Sequence, residues 1–257
     1  MEVHHHSHSS GKKWTHYLWE FLMLFLAVFS GFLAENLREH VVELNREKQF
    51  IHSICEDLKS DTAQLGAELN FRKMMIRNID SVLYYLNMPD PDKYGKFVYH
   101  YVRPISNSSY FISNDRTIQQ LKNAGNLRLI RNQQASDLIM RYDLEVRRNE
   151  VRIEREEKFK MDNIEAMNRV FNGNEFNGML NKILIDKKSG FPQKFQSWPW
   201  PESNPPLIHK DKENIQRLIN SLVFTKTINA FYLEWNNGMI NRASMLLEFL
   251  KKEYHIK

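Results

Sequence analysis

Three small groups of residues in this 257-residue chain have types and spacing that could do chemistry. His16 and Glu20 stand one helical turn apart in an apolar stretch, where an ionisable pair can share a proton or meet an ion. His52, Cys55 and Glu56 share a helix face at metal-like spacing, but two ligands and one cysteine do not close a site. Trp198 and Trp200 alternate with prolines in FPQKFQSWPWPESNPPLIHK, an arrangement that suits an adhesive loop for a partner and suits better still rings folded back over their own domain.

No catalytic residue is expected. A di-iron carboxylate bundle needs paired Glu-x-x-His motifs on separate helices, and the sequence has none. It also lacks a P-loop, a dinucleotide-binding glycine pattern, a nucleophile elbow and HExxH. Cys55 is the one cysteine, so an intrachain disulfide is excluded. The expectation is a non-enzyme with no cofactor and no metal. The net charge of +5 is a small surplus of 36 basic over 31 acidic residues spread along the chain, which argues against a nucleic-acid partner.

The elements that must hold these residues are helical. Gly (9) and Pro (8) are scarce and helix formers run for long stretches, which predicts an all-α chain. Tyr17 to Ala34 carries one charge, Glu20, and spans roughly 27 Å as a helix, enough to cross a bilayer. Trp14, Tyr17 and Trp19 suit the headgroup level, with Lys12 and Lys13 outside them. The same rim lets the Glu20 carboxylate reach headgroups or water, which is the plainer reading of that residue. A cleaved export signal, with Val28 and Ser30 as the small residues, and a buried core helix are the competing readings. The helical pattern runs through the candidate cleavage site and nothing later is as apolar, so the anchor reading is favoured. Basic residues flank both ends and leave orientation to be chosen: a short cytoplasmic tail, with the bulk of the chain periplasmic, at the inner membrane.

Beyond the span, steps of four and three from Leu37 pick out Val41, Leu44, Lys48, Ile51, Cys55, Leu58, Thr62, Leu65, Leu69, Arg72, Ile76, Ile79, Leu83 and Leu86. Twelve of these fifteen are apolar, which predicts one long helix with a supercoiling tendency, Gly66 being a possible break. Extended backwards, the frame reaches Ala34, Ser30 and Ala27, which with Gly31 form a small-xxx-small patch. Ala27, Ser30, Gly31, Ala34, Leu37, Val41 and Leu44 are therefore the expected self-association surface, and a homo-oligomer is the expected state. Packing of the seam only within its own chain is the alternative.

Asn87 to Lys96 should end that helix. Phe97 to Tyr101 alternates weakly and reads as extended. Asn114 or Asp115 should cap a helix over Thr117–Ala124 closed by Gly125, and Asn132 a long helix to about Phe171. The charged run within it, RYDLEVRRNEVRIEREEKFK, reads as a solvated face. The last helix should run from Lys212 to about Tyr254 and bury Ile215, Leu218, Ile219, Leu222, Ile228, Phe231, Tyr232, Trp235, Ala243, Leu246, Leu247 and Leu250. The expected organisation is a His-rich tail (1–16), a transmembrane helix (17–34) and an antiparallel helical bundle (35–257) with a Pro-rich loop near 189–211.

HHHSHSSGKKWTHYLWEFLMLFLAVFSGFLAENLREH, continuing into REKQFIHSICEDLKSD, and DRTIQQLKNAGNLRLIRN resemble an uncharacterised family of single-pass membrane proteins from Bacteroidota. The likeness covers the first sixty residues well and the central helix-Gly-helix region moderately. It implies that the His-rich start is native and that the anchor is retained, and it supplies no activity. The functional expectation is a membrane-anchored scaffold or interaction protein of the cell envelope that self-associates and binds another envelope protein. The alternatives are a sensory or ligand-binding bundle and a proton- or ion-conducting oligomer built on Glu20.

Overall fold

The structure, a computed structural model, describes residues 14–123, 125–182 and 198–256. The tail before Trp14 and the Pro-rich residues 183–197 lie outside the described residues, as do Lys12 and Lys13. Six α-helices occur among the described residues, and no strand: α1 (Trp14–Leu86), α2 (Gly95–Val102), α3 (Arg116–Asn123), α4 (Gln133–Val170), α5 (Gly173–Leu180) and α6 (Lys212–Glu253). The chain divides into two compact units, residues 1–50 and 51–257.

In the first unit, α1 carries one stretch near the N-terminus that is long and apolar enough to span a membrane, and none of that stretch is buried. No proline interrupts α1 anywhere, and the helix continues through both Gly31 and Gly66. It stops where Pro89 and Pro91 forbid continuation, with the Asn87 side-chain amide donating to the Leu83 carbonyl at 2.7 Å.

In the second unit, burial along α1 follows a heptad rhythm. Ile51, Ile54, Leu58, Asp61, Leu65, Glu68, Arg72, Met75, Ile79, Val82 and Leu86 are all buried. Seven of the eleven expected seam positions from Ile51 onward are buried: Ile51, Cys55, Leu58, Leu65, Arg72, Ile79 and Leu86. The other column lies one residue earlier than hydrophobicity alone suggests. Asp61, Glu68 and Met75 turn inward where Thr62, Leu69 and Ile76 were expected, because polar partners on other segments satisfy the two acids. α4 and α6 show the same rhythm. Ala135, Tyr142, Asn149, Asn163 and Val170 are buried at multiples of seven along α4, and Leu218, Leu222, Asn229, Tyr232, Asn236, Met239, Ala243, Leu246 and Leu250 along α6.

Side-chain bonds join α4 to α6 at Asn132–Glu253 (2.8 Å) and Arg217–Glu165 (3.0 Å), and also at Asn163–Thr225. Met75, Ile79, Val82 and Leu86 of α1 gather with Val98, Tyr99 and Val102 of α2 and with Ala166, Val170 and Leu218 into one apolar core.

Three expectations need correction. Phe97–Tyr101 is part of helix α2, not extended, because Gly95, Val98, Tyr99 and Val102 form a buried stripe at helical spacing. α5 was not foreseen; Asn172 caps it by accepting from the Asn174 amide at 3.0 Å. Phe231 is 72% exposed, since Asn229 and Tyr232 take the inward positions on that turn. Elsewhere the caps lie where expected: Asn132 accepts from the Ala135 amide at 2.9 Å, and Gly125 adopts φ +64° after α3.

Candidate functional site

Within the apolar stretch, His16 Nε2 lies 3.0 Å from Glu20 Oε1, and both side chains are about half exposed. Ala27, Ser30, Gly31, Ala34, Leu37 and Val41 are exposed, and Leu44 is half-buried. A Cβ built on Gly31 would meet nothing within 4 Å. Phe21, Phe25 and Phe29 stack along the helix at 6.2 and 5.8 Å. At about 100° per residue these rings project roughly opposite to Ala27, Ser30, Gly31 and Ala34. The segment thus has one narrow, smooth side and one bulky side.

The trio His52, Cys55 and Glu56 does not converge. Cys55 is buried, and burial raises its thiol pKa; His52 and Glu56 face outward, and Glu56 accepts from Lys59 at 2.7 Å. Among the described residues no group of three or more His, Cys, Asp or Glu could hold a metal ion.

The most elaborate polar arrangement surrounds Arg72 and has no local signature in the sequence. Arg72, 1% exposed, sits in the middle of the second unit's interior. Its Nε donates to Glu68 Oε1 at 2.7 Å, and Nη2 donates to Glu156 Oε2 at 3.0 Å and to the Ser109 carbonyl at 2.9 Å. Nη1 donates to Glu156 Oε1 and, at 3.2 Å, to Asn229 Oδ1. The guanidinium also lies 4.3 Å from the Tyr232 ring centroid. Ser109 Oγ donates to the second oxygen of Glu68. One cation therefore ties α1, the segment before α3, α4 and α6 together. Burial pushes the Glu68 pKa up despite Arg72 beside it.

A second centre lies two turns earlier on α1. Asp61 accepts from Ser113 Oγ (2.6 Å), the Asn114 amide (2.8 Å) and the Tyr142 hydroxyl (2.8 Å). Asp57 accepts from the Asn114 side chain at 2.6 Å and from Thr117. Burial raises the pKa of Asp61 and, more strongly, that of Tyr142. Asn114, expected only as a helix cap, instead pins the start of α3 to two acids of α1. The charged run of α4, read as a solvated face, sends Tyr142, Asp143, Asn149 and Glu156 inward. Of these, Tyr142, Asn149 and Glu156 are spaced by seven, which is the one signal of it in the sequence.

Trp198 is 8% exposed and Trp200 is 39% exposed. The Arg103 guanidinium lies 4.2 Å from the centroid of the Trp198 ring, and Trp200 stacks on His100 at 3.7 Å with a 4° interplanar angle. Both rings thus contact residues at or beside α2. Arg103 donates to Ser106 Oγ at 2.7 Å, and burial lowers its pKa. Gly95 is needed here: a Cβ would fall 1.9 Å from the Pro205 carbonyl oxygen.

Asp57, Asp61, Glu68 and Glu156 each accept at least two hydrogen bonds, which tie together the segments the donors come from. Comparison with protein families, curated proteins and solved structures gives no match.

Proposed function

We propose that this chain is a membrane-anchored helical scaffold or interaction protein of the bacterial cell envelope, acting without catalysis. In this reading residues 17–34 cross the inner membrane once and residues 35–257 form an antiparallel helical bundle on the periplasmic side. The order of the α4–α6 pairs, with Asn132 at Glu253 and Glu165 at Arg217, supports the antiparallel arrangement. The resemblance to single-pass membrane proteins from Bacteroidota is in keeping with the anchor.

One observation carries the proposal: the full exposure of an apolar helical stretch that keeps a small-residue face open at Gly31. In water so much exposed apolar surface would drive aggregation, whereas in lipid it is the required surface. Association between lipid-embedded helices depends on close backbone approach, and Ala27, Ser30, Gly31 and Ala34 permit it. The same face continues outward through Leu37, Val41 and Leu44. Copies associate through it and present their bundles to another envelope protein.

Crosslinking in native membranes tests this. With Cys55 replaced by Ala, cysteines introduced at Ala27 or Ser30 should give disulfide-linked dimers on mild oxidation, and cysteines introduced at Phe25 should not. Monomer at every position refutes self-association.

A further inference from the structure

A cavity of about 320 Å³ opens between α4 and α6 in the second unit. Its α6 wall is apolar and aromatic, formed by Ile228, Phe231, Tyr232 and Trp235, and its α4 wall is Arg152, Arg155 and Glu156. Phe231, 72% exposed, stands at this wall without being needed by the interior.

The charges on the α4 wall are unequal. Glu156 is the natural i+4 partner of Arg152 on a helix. It is instead engaged twice by the buried Arg72, which neutralises it from the inside. Arg152 is left stacked over Trp235, its guanidinium 5.1 Å from the ring centroid. Arg155 has Arg152 and Lys158 at three residues' distance, and Val151 and Phe159 at four, so α4 offers it no acid at these spacings. Among the described residues, neither arginine forms an ion pair. Two guanidinia without counterions thus edge a cavity whose opposite wall suits a flat ring.

We infer that this cavity binds a small amphipathic organic anion, an aromatic body bearing a carboxylate, with the ring against Phe231 and Trp235 and the carboxylate on Arg152 and Arg155. The volume lies at the lower end of the range for small-molecule sites. The lining spans Ile228 to Trp235 on α6, about 10 Å of helix, which is too short a track for a partner helix and suits a single ring system. Arginine fits the role because its planar fork pairs with a carboxylate while its face stacks on an aromatic ring. The site is separate from the lipid-facing residues, so it stands or falls independently of self-association.

The test uses the full chain in nanodiscs, with empty nanodiscs as blank, titrated calorimetrically with naphthalene-2-carboxylate and with its neutral amide. The expected result is saturable one-to-one binding of the carboxylate, weaker by about tenfold or more for the amide. Arg152→Gln with Arg155→Gln should weaken carboxylate binding by a similar factor and leave the amide unaffected. Phe231→Ala should weaken both ligands. All three side chains are exposed, and unchanged thermal melts will confirm that the variants fold. Absence of saturable heat, equal binding of acid and amide, or undiminished carboxylate binding by the double variant overturns the inference.

Discussion

Arg72 of α1 and Glu156 of α4 meet through two parallel hydrogen bonds in the interior, with Glu68 holding the same guanidinium from one turn earlier. Removing one member of such a buried set leaves the other charges uncompensated, at a cost of about 3–5 kcal/mol, whereas replacing the whole set by uncharged groups costs far less. Arg72→Met should therefore lower the melting temperature of the detergent-solubilised protein sharply. Adding Glu68→Gln and Glu156→Gln to it should recover a large part of the loss. Circular dichroism melts of the single and triple variants decide the matter, and equal melting temperatures would show that the charges are not coupled.

Glu68 also sets a pH dependence of stability. Its folded pKa is raised above the ordinary 4.5, chiefly by burial. Its contribution is fully present below pH 4.5 and is lost as pH rises through the folded pKa, because ionisation then has to occur in the interior. Glu68→Gln removes that loss. The melting temperature of the variant, measured against the parent, should shift in the variant's favour on going from acidic to neutral pH.

His100 works in the opposite direction. It is stacked under Trp200, and burial lowers its pKa below 6.5, an effect only partly opposed by its hydrogen bond to the Pro199 backbone. The folded state holds the ring neutral, so the contribution is intact above pH 6.5 and declines as pH falls through the folded pKa. Acidification below 6.5 should loosen the Trp200 segment before the bulk unfolds, seen as a red shift of tryptophan emission. His100→Phe, which keeps the stacking and cannot be protonated, should abolish the shift.

Gly95 tests the docking of the same segment by shape alone. A methyl group there would overlap the Pro205 carbonyl oxygen, and Asn204, which accepts from the Lys96 amide at 2.9 Å, would be displaced with it. Gly95→Ala should cost about 1–3 kcal/mol and should make the peptide bonds around 198–206 markedly more sensitive to limited proteolysis. Gly66→Ala is the control, since a Cβ there meets nothing within 4 Å; it should be neutral or slightly stabilising.

Much of this fold is written in periodicity. The absence of proline up to Pro89, the caps at Asn132 and Gly125 and the steps of four and three from Ile51 make α1, α3 and the start of α4 legible in the sequence. What periodicity could not reveal was which polar residues turn inward. Hydrophobicity favours Leu69 over Glu68 and Phe231 over Asn229. The choice is made by Arg72, Ser109 and Glu156, which lie 4, 41 and 88 residues from Glu68 in sequence. Phe97–Tyr101 failed for a related reason: five residues of alternating apolar character are too few to separate a period of 2 from one of 3.6, and the stripe through Gly95 and Val102 emerges only when the flanking residues are included. Trp198 and Trp200 gave no sign of their partners, because Arg103 and His100 lie almost a hundred residues away.

The two sides of the apolar stretch lead to the last prediction. Association through the small side requires helices to approach until their backbones nearly touch, and Gly31 is the position with nothing near its missing Cβ. Gly31→Ile should hold copies apart and reduce the oxidised dimer formed by cysteines introduced at Ala27 severalfold. Phe25→Leu, altering the stacked ring on the opposite side, should leave the yield unchanged. If both substitutions reduce the yield equally, contact is being made around the whole helix and the small face has no special part in it. If neither does, the dimer is held by the residues beyond the span, and the same comparison at Leu37 and Val41 will locate it.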